Sequence, residues 1–363
     1  MIKLSRRTAL NGMIGAGIAA MASAPSIALL ARTKLARTKR AAKVSHRPPQ
    51  TLARLKPGDT IGLINSASAA DESNLIRARE NITALGFQIR EGRHLLDQYG
   101  YLAGQDRDRA ADVNAMYADA QVKAVFAMRG GWGSARMLRY LDWDIIRANP
   151  KLLIGYSDVT ALHLAFAAKA GFSTIHGPNA AHGWQGIATS SFRRMAMNGE
   201  LVQVDPIITA EEQLPDDYRG HMMIAPGKAR GKLLGGNLTV LSALIGTPWM
   251  PDMTGAILFL EDIDEAEYRI DRMLTQLSEA GILDKISGFA FGQCRNCRRD
   301  ISDTPAGFNL PSVLQQHIAP LGIPAFTGGH FGHIAGQYCL PMGSMVEMDA
   351  AAGSIRMLKP LVA

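Results

Sequence analysis

The amino-terminal part of this 363-residue chain lacks acidic residues. The first acid is Asp59, whereas residues 1–49 carry ten lysines and arginines. Without those ten, 29 basic residues stand against 32 acidic ones, so the net charge of +7 becomes −3 in the remaining body. A slightly negative body repels phosphate on average, so we expect no nucleic-acid partner.

Cysteine is scarce as well, with only Cys294, Cys297 and Cys339. In an exported protein the first two are compatible with a local disulfide, and two reduced thiols explain the same spacing equally well. A zinc site would need a second pair of ligands at a suitable distance along the chain, and none is evident. We therefore expect no metal site.

A stretch without any charge, residues 8–31, follows the twin-arginine pattern Ser5-Arg6-Arg7-Thr8. Residues 1–31 are therefore predicted to be a Tat-type signal peptide, which implies export to the periplasm. An uncleaved membrane anchor is the alternative, but the many alanines and glycines make this stretch weakly hydrophobic for stable spanning. Residues 32–50 are predicted to be a basic linker.

Apolar runs that alternate with amphipathic segments predict an α/β fold. The runs in the first half are residues 60–65, 87–90, 122–128 and 152–154. Their order and short connections predict a Rossmann-like parallel sheet with helices on both faces over residues 51–200. Residues 201–225 are less regular and are predicted to be a linker. Residues 226–363 are predicted to form a smaller, β-rich α+β domain.

The stretch Gly155-Tyr156-Ser157-Asp158 lies between an apolar run and an amphipathic helical pattern. A serine between a strand and a helix fits a nucleophile elbow, with the backbone N–H groups of the helix N-terminus close by. The match to G-x-S-x-G is incomplete because Val159 stands at the second glycine position. A plain helix cap explains the same residues, and this stretch alone favours the cap.

A glycine-rich loop, residues 129–133, follows the third apolar run. Glycine tolerates positive φ and close backbone approach. The N–H groups of Gly131 and Asp158 are therefore predicted to form an oxyanion hole, with a simple tight turn as the alternative. The spacing does not match the G-x-G-x-x-G fingerprint of dinucleotide-binding proteins.

A serine nucleophile needs a histidine base and a carboxylate that orients the base. His330 and His333 lie among glycines, and as a metal site they lack an obvious third ligand. Glu261 and Asp262 follow an apolar run, where acids at a helix N-terminus are the alternative interpretation. These patterns leave the choice of histidine and of acid open.

Six blocks, in order along the chain, resemble the LD-carboxypeptidases, also called muramoyltetrapeptide carboxypeptidases, over residues 52–360. The blocks are residues 129–133, 155–158, 234–238, 245–248, 258–262 with 268–274, and 331–333. The resemblance implies that Ser157 is the nucleophile, that His333 is the base and that Glu261 orients it. It also implies that the site lies between a domain carrying the serine and a domain carrying the other two residues.

The implied reaction is hydrolysis of the bond between an L-centre and the terminal D-alanine of the murein tetrapeptide or of related peptidoglycan fragments, without a cofactor. Arg129 is predicted to bind the C-terminal carboxylate of the substrate, with a structural ion pair as the alternative. Trp132 is predicted to line the pocket unless it is a core residue. Asn237 is predicted to contact substrate unless it braces the domain interface. Family members tend to dimerise, which leaves a homodimer open.

The chain departs from the family pattern after its first strand, where Asn65-Ser66-Ala67-Ser68 replaces an A-P-S-G-like turn. Microcin-immunity-type peptidases share the triad and cleave a peptidyl-nucleotide amide. An aromatic residue on an inserted loop, stacked on the nucleobase, would favour that alternative, and Trp184 and Tyr218 are the aromatics in that region. A non-catalytic periplasmic binder of wall peptides is a third hypothesis. The presence of all three triad residues argues against it.

Overall fold

The computed structural model describes residues 52–207, 220–297 and 307–363. The predicted signal peptide, residues 1–31, and the predicted linker, residues 32–50, lie outside the described residues. Within the described ranges, no helix combines the length and apolar character needed to cross a membrane.

The described ranges contain fourteen strands and nine helices. The strands are β1 (Thr60–Ile64), β2 (Gln88–Glu91), β3 (Val122–Ala127), β4 (Leu152–Gly155), β5 (Thr174–His176), β6 (Gln203–Val204), β7 (Met222–Ala225), β8 (Lys228–Asn237), β9 (Ile257–Glu261), β10 (Gly288–Gly292), β11 (Ala325–Gly329), β12 (Leu340–Met342), β13 (Met345–Asp349) and β14 (Ser354–Met357). The helices are α1 (Glu72–Ala84), α2 (Asp106–Ala118), α3 (Ser134–Met137), α4 (Trp143–Ala148), α5 (Thr160–Lys169), α6 (Gly186–Phe192), α7 (Leu238–Ala243), α8 (Glu267–Glu279) and α9 (Leu310–Ile318).

The first sheet has six strands in the order β12-β5-β4-β3-β1-β2. Its strands β1 to β5 run parallel to their neighbours, and β12 is antiparallel to β5. Every residue of β4 and β5 is buried, as expected for parallel strands covered on both faces. The predicted parallel sheet is confirmed, and each of the four predicted runs overlaps one of its strands.

The second sheet has eight strands in the order β6-β14-β13-β8-β9-β10-β11-β7. Strands β8 to β11 are parallel, and the pairs at both ends of the sheet are antiparallel. The mixed second half is therefore β-rich, as predicted, although its sheet has more strands than the first.

The structure differs from the predicted boundaries in two places. The predicted linker, residues 201–225, contributes β6 and β7 to the second sheet. Strand β12, from the carboxy-terminal half, joins the first sheet, with Leu340 opposite His176. These strands have two to four residues, too few for a visible alternation pattern, and they are fixed by pairing with distant segments.

A buried hydrogen bond joins a strand of the second sheet to the helix that follows β4 of the first sheet. The Asn237 N–H, at the end of β8, donates to Thr160 Oγ1, at the start of α5, over 3.0 Å. Gly236 has a φ of 125°, and a Cβ built there would lie 2.5 Å from Thr160 Oγ1. Only glycine therefore allows this approach, which brings the carboxyl ends of β4 and β9 toward one another.

Candidate active site

Ser157 lies on a sharp turn between β4 and α5, and its φ is 63°. A helix-capping serine has an extended backbone, whereas a left-handed backbone at a non-glycine residue is uncommon and strained. A hydrogen bond holds the turn in place: the Tyr156 N–H donates to Asn179 Oδ1 over 3.2 Å. This geometry matches a nucleophile elbow and disfavours the cap interpretation.

The glycine loop passes directly beside this serine. A Cβ built at Gly130 would lie 2.9 Å from the Ser157 Cβ and 3.1 Å from its Oγ, so a side chain there would crowd the nucleophile. Gly131 has a φ of 115°, and the next N–H, that of Trp132, donates to Ser68 Oγ over 2.9 Å. The Trp132 N–H is thus engaged. The oxyanion roles of Gly131 and Asp158 stay predictions, supported by their position next to Ser157.

The side chain of Asp158 has a second role that sequence reasoning missed. It is fully buried, and its Oδ2 accepts a 2.7 Å hydrogen bond from the Ser134 N–H, just after the glycine loop. Burial raises the pKa of Asp158 to about 6, against the lowering effect of the Ser134 bonds and of Arg109. Ser134 Oγ in turn lies 2.9 Å from Ser66 Oγ. Asp158 therefore fastens the glycine loop to the elbow.

The predicted acid, Glu261, and the predicted base, His333, are in contact although they are 72 residues apart in the sequence. His333 Nδ1 lies 2.7 Å from Oε2 of Glu261, which is fully buried at the end of β9. Burial acts against the charge of each group, but the pair interaction prevails and lowers the pKa of Glu261 while raising that of His333. Gly332 has a φ of 106°, and a Cβ there would lie 2.9 Å from the Glu261 Cβ. Glycine is thus required for the close approach of this pair.

The competing histidine and acid are engaged elsewhere. His330 Nε2 lies 3.1 Å from the Gly336 carbonyl oxygen. Asp262 Oδ1 accepts from Asn237 Nδ2 over 3.0 Å, and its Oδ2 accepts from the Thr239 N–H over 2.9 Å. The geometry therefore favours Glu261 and His333 over these neighbours.

The imidazole of His333 stands beside the elbow, because its ring centroid lies 4.7 Å from that of Tyr156. Since Nδ1 is bonded to Glu261, the tautomer inferred from this bond carries its proton on Nδ1 and leaves Nε2 free to act as a base. Burial, and then the charge of Glu261, raise the pKa of Tyr156 to about 12, so its phenol stays neutral.

A further histidine near the pair, His176, was not found from the sequence. It is fully buried at the end of β5, and its ring centroid lies 6.1 Å from that of Tyr156 and 5.2 Å from that of Phe259. Neither ring nitrogen has a hydrogen-bond partner among the described residues. Burial lowers the pKa of His176 to about 4, so the ring is neutral near pH 7. Only the pairing of β5 with β4 brings it here, and no local pattern signals that pairing.

Two predicted substrate-binding residues lie on the glycine loop. Arg129 Nη1 donates to the Ala69 carbonyl over 2.8 Å, and no carboxylate of the described residues pairs with its guanidinium. The ion-pair alternative is thus not supported. Trp132 is 41% exposed, which disfavours its alternative assignment to the core. Both stay predicted contacts of the substrate.

Asn237 is buried, and both ends of its amide are used within the protein. Its Oδ1 accepts from the Val240 N–H over 3.1 Å and caps α7, while its Nδ2 donates to Asp262. Together with the backbone bond to Thr160, these contacts match the bracing alternative rather than the predicted substrate contact.

The aromatic residue considered for nucleobase stacking, Trp184, belongs to the core. Its ring lies 5.5 Å from Phe126 and 5.2 Å from Phe192, and its Nε1 donates to the Asn179 carbonyl over 3.0 Å. Tyr218 lies outside the described residues.

The three cysteines offer neither a metal site nor a reactive thiol within the described residues. Cys294 and Cys297 form a disulfide, and both are buried. Cys339 is a buried thiol, and burial raises its pKa to about 12, which keeps it protonated and unreactive.

Comparison with known families gives two adjacent matches that together cover most of the described body. Residues 61–177 match the LD-carboxypeptidase N-terminal domain, and residues 230–348 match the LD-carboxypeptidase C-terminal domain. The first match contains Ser157, and the second contains Glu261 and His333.

Individual relatives agree with these matches. The probable murein peptide carboxypeptidase of Bacillus subtilis is 36% identical over 305 residues, which is 82% of this chain and 91% of that protein. A solved muramoyltetrapeptide carboxypeptidase of Oxalobacter formigenes has a TM-score of 0.70 at 29% identity, covering 82% of this chain and 97% of its own. The structure of MccF in complex with glutamyl sulfamoyl guanosine has a TM-score of 0.77 at 25% identity, covering 87% of this chain and all of its own.

Proposed function

The chain belongs to the LD-carboxypeptidase family, and from this premise we propose that it is a serine peptidase that removes the terminal D-alanine from murein tetrapeptides. The family is one of peptidases, and the relatives named for murein peptides point to the substrate class. The observation that carries the serine mechanism is the 2.7 Å His333–Glu261 pair beside the left-handed Ser157 turn.

In the proposed acylation step, His333 Nε2 takes the proton of Ser157 as its Oγ attacks the carbonyl carbon of the L-centre. The buried carboxylate of Glu261 stabilises the imidazolium that forms. The N–H groups of Gly131 and Asp158 hold the oxyanion, and one such donor is typically worth about 10²- to 10³-fold in rate.

The leaving group and the second step follow from the same geometry. When the tetrahedral intermediate collapses, the carbon–nitrogen bond breaks and His333 gives its proton to the amine of D-alanine. Water then attacks the acyl-enzyme with His333 as base, which releases the tripeptide and restores Ser157. No step in this scheme requires a group beyond the chain, the peptide and water.

We also propose that the protein acts in the periplasm, after export by the twin-arginine route. The support is the Arg6-Arg7 pattern ahead of an uncharged stretch. Replacing both arginines by lysine is expected to retain the protein in the cytoplasm, and fractionation with an antibody measures this. Unchanged export of the variant would contradict the proposed route.

The function is tested by D-alanine release from purified murein tetrapeptide. Wild-type protein is expected to release D-alanine, and Ser157→Ala and His333→Asn to lose the activity. His330→Asn is the matched control, because it changes a histidine three positions away that is bonded to a backbone carbonyl. Release by the Ser157→Ala variant at the wild-type rate would contradict the serine mechanism.

A second candidate function is hydrolysis of a peptidyl-nucleotide amide, favoured by the TM-score of 0.77 to MccF. The core position of Trp184 removes one of the two aromatics considered for stacking on a nucleobase. If folded wild-type protein leaves the tetrapeptide intact but cleaves an aminoacyl sulfamoyl nucleoside, this candidate replaces the first.

A further inference from the structure

Arg295 lies in the loop that follows β10 and has no counter-ion among the residues that the structure describes. Its Nε atom is buried and has no hydrogen-bond partner, and no carboxylate of the described residues forms an ion pair with its guanidinium. Partly buried arginines are normally paired, because an unpaired buried charge is costly. An anion that binds here would supply the missing partner.

The backbone around Arg295 is held in place from several sides. The Arg295 carbonyl accepts a 3.0 Å hydrogen bond from the Asp264 N–H, three residues after Glu261. Asn296 Nδ2 donates to Asp264 Oδ1 over 2.9 Å, and the Cys294–Cys297 disulfide encloses the turn. The cation is therefore carried by a braced loop, which lowers the entropy cost of binding an anion.

The guanidinium lies close enough to the active site to act on two of its residues. Burial and the charge of Glu261 have the largest effects on the pKa values of Tyr156 and His333, and the positive charge of Arg295 lowers both pKa values. Arg295 forms a parallel β-bridge with Ile263, two residues after Glu261, so its backbone lies beside the segment that leads out of the Glu261–His333 pair.

A carboxypeptidase must recognise the C-terminal carboxylate of its substrate, and a cation near the Glu261–His333 pair can do so. In the proposed reaction His333 gives its proton to the amine of the leaving D-alanine, and the C-terminal carboxylate is attached to the same Cα as that amine. The carboxylate must therefore bind close to His333, and the forked guanidinium of arginine matches its two oxygens.

We propose that Arg295 binds the C-terminal carboxylate of the substrate and thereby restricts cleavage to the last residue. The inference rests on the proposed function and names the residue that selects a free C-terminus. Arg129, which the sequence predicted for this carboxylate, lies on the glycine loop and is left to bind another carboxylate of the murein peptide.

The test compares the tetrapeptide with its C-terminal amide, which lacks the negative charge but keeps the scissile bond. Wild-type protein is expected to prefer the free acid by about 10- to 100-fold in kcat/KM, the range of a charge-assisted bidentate contact. Arg295→Gln is expected to lose about that factor on the acid and to change little on the amide, so that the preference collapses. Arg295→Lys is expected to recover part of it.

Arg129→Gln tests the competing candidate for the same carboxylate and is expected to keep the preference for the free acid, whatever its effect on overall activity. A melting curve and a thiol titration that detects only Cys339 establish that each variant is folded with its disulfide intact. The assignment of Arg295 is wrong if Arg295→Gln keeps the preference for the free acid or loses activity on both peptides equally. It is also wrong if Arg129→Gln reduces the preference more than Arg295→Gln does.

Failure of the inference and failure of the proposed function give different results. If wild-type protein releases the terminal group from neither peptide, the proposed function fails and the role of Arg295 fails with it. If wild-type protein cleaves the acid and Arg295→Gln still prefers it, only the role of Arg295 is overturned.

Discussion

At the scale of single residues, the site depends on a strained backbone and on two buried acids with opposite pKa shifts. Ser157 has a φ of 63°, which presents its hydroxyl away from the strand it follows. The pKa of Glu261 is lowered by its imidazole partner despite complete burial, whereas burial raises the pKa of Asp158. The first acid is thus kept charged for chemistry, and the second is suited to a structural hydrogen bond.

Glu261→Gln is expected to reduce kcat by about 10³- to 10⁴-fold, because a neutral amide cannot stabilise the imidazolium of His333. Glu261 raises the pKa of His333, so the variant's residual activity should persist to lower pH than that of the wild type. The pH dependence of kcat/KM measures this. Glu279→Gln, at the exposed end of α8, is the control, and an unshifted acid limb in Glu261→Gln would contradict the coupling.

Asp158→Asn is expected to change how stability depends on pH. Because the folded pKa of Asp158, about 6, lies above the ordinary value of 3.8, the folded protein binds more protons and loses stability as pH rises between them. The variant lacks this loss. Wild-type stability relative to the variant should therefore fall by about 3 kcal/mol between about pH 4 and pH 8. Denaturant unfolding of both proteins measures the difference, and parallel pH curves would contradict it.

At the scale of elements, the end of α2 shows how one side chain completes a helix. Lys151 lies just before β4, and its Nζ donates to the carbonyls of Met116 and Tyr117 over 2.8 and 3.0 Å and also to that of Asp119. The last carbonyls of a helix have no intrahelical donor, and a cation also complements the helix dipole. Lys151 thereby connects α2 to the strand that leads to Ser157.

Lys151→Met is expected to lower the free energy of unfolding by about 1–3 kcal/mol, since buried carbonyls lose their donor. Lys123→Met is the matched control, because Lys123 also donates to a carbonyl near the end of α2, that of Ala120, but in an exposed position. The control should change stability by at most about 0.5 kcal/mol. Equal effects of the two variants in urea unfolding would contradict the capping role of Lys151.

At the scale of the whole molecule, the two sheets are linked by a strand that crosses between them and by a buried hydrogen bond. Strand β12 crosses back to pair with β5, and the Thr160–Asn237 bond joins the helix after the nucleophile to the strand beside Glu261. The residues proposed for catalysis are therefore placed by the relation between the sheets, so a change at this contact should affect activity as well as stability.

Thr160→Val keeps the shape of the side chain but leaves the Asn237 N–H without an acceptor in a fully buried position. We expect a loss of about 1–3 kcal/mol in stability, together with a lower kcat in the D-alanine assay. Thr275→Val, on the exposed side of α8, is the control. A variant that is destabilised with unchanged kcat would show that the contact does not position the site.

Much of the site was predictable, because a family motif is a local pattern. The G-Y-S-D, L-E-D and F-G-H blocks pointed to Ser157, Glu261 and His333, and the alternating apolar runs predicted the parallel sheet. The motif choice of Glu261 over Asp262 has a physical basis, since Asp262 is occupied by Asn237 and Thr239.

What the sequence by itself determined was the content of each element: which segments are apolar, where glycines permit a turn, and which residue types are present. Tertiary structure alone decided how distant segments meet. It placed β12 in the first sheet, brought His176 near Glu261 and turned Asn237 into a brace. It also put Arg295 next to Ile263, with no ion-pair partner in the described part of the chain. The physical reason is that hydrophobic periodicity and backbone preference act along the chain, whereas strand pairing, burial and charge proximity depend on contacts between residues far apart in sequence.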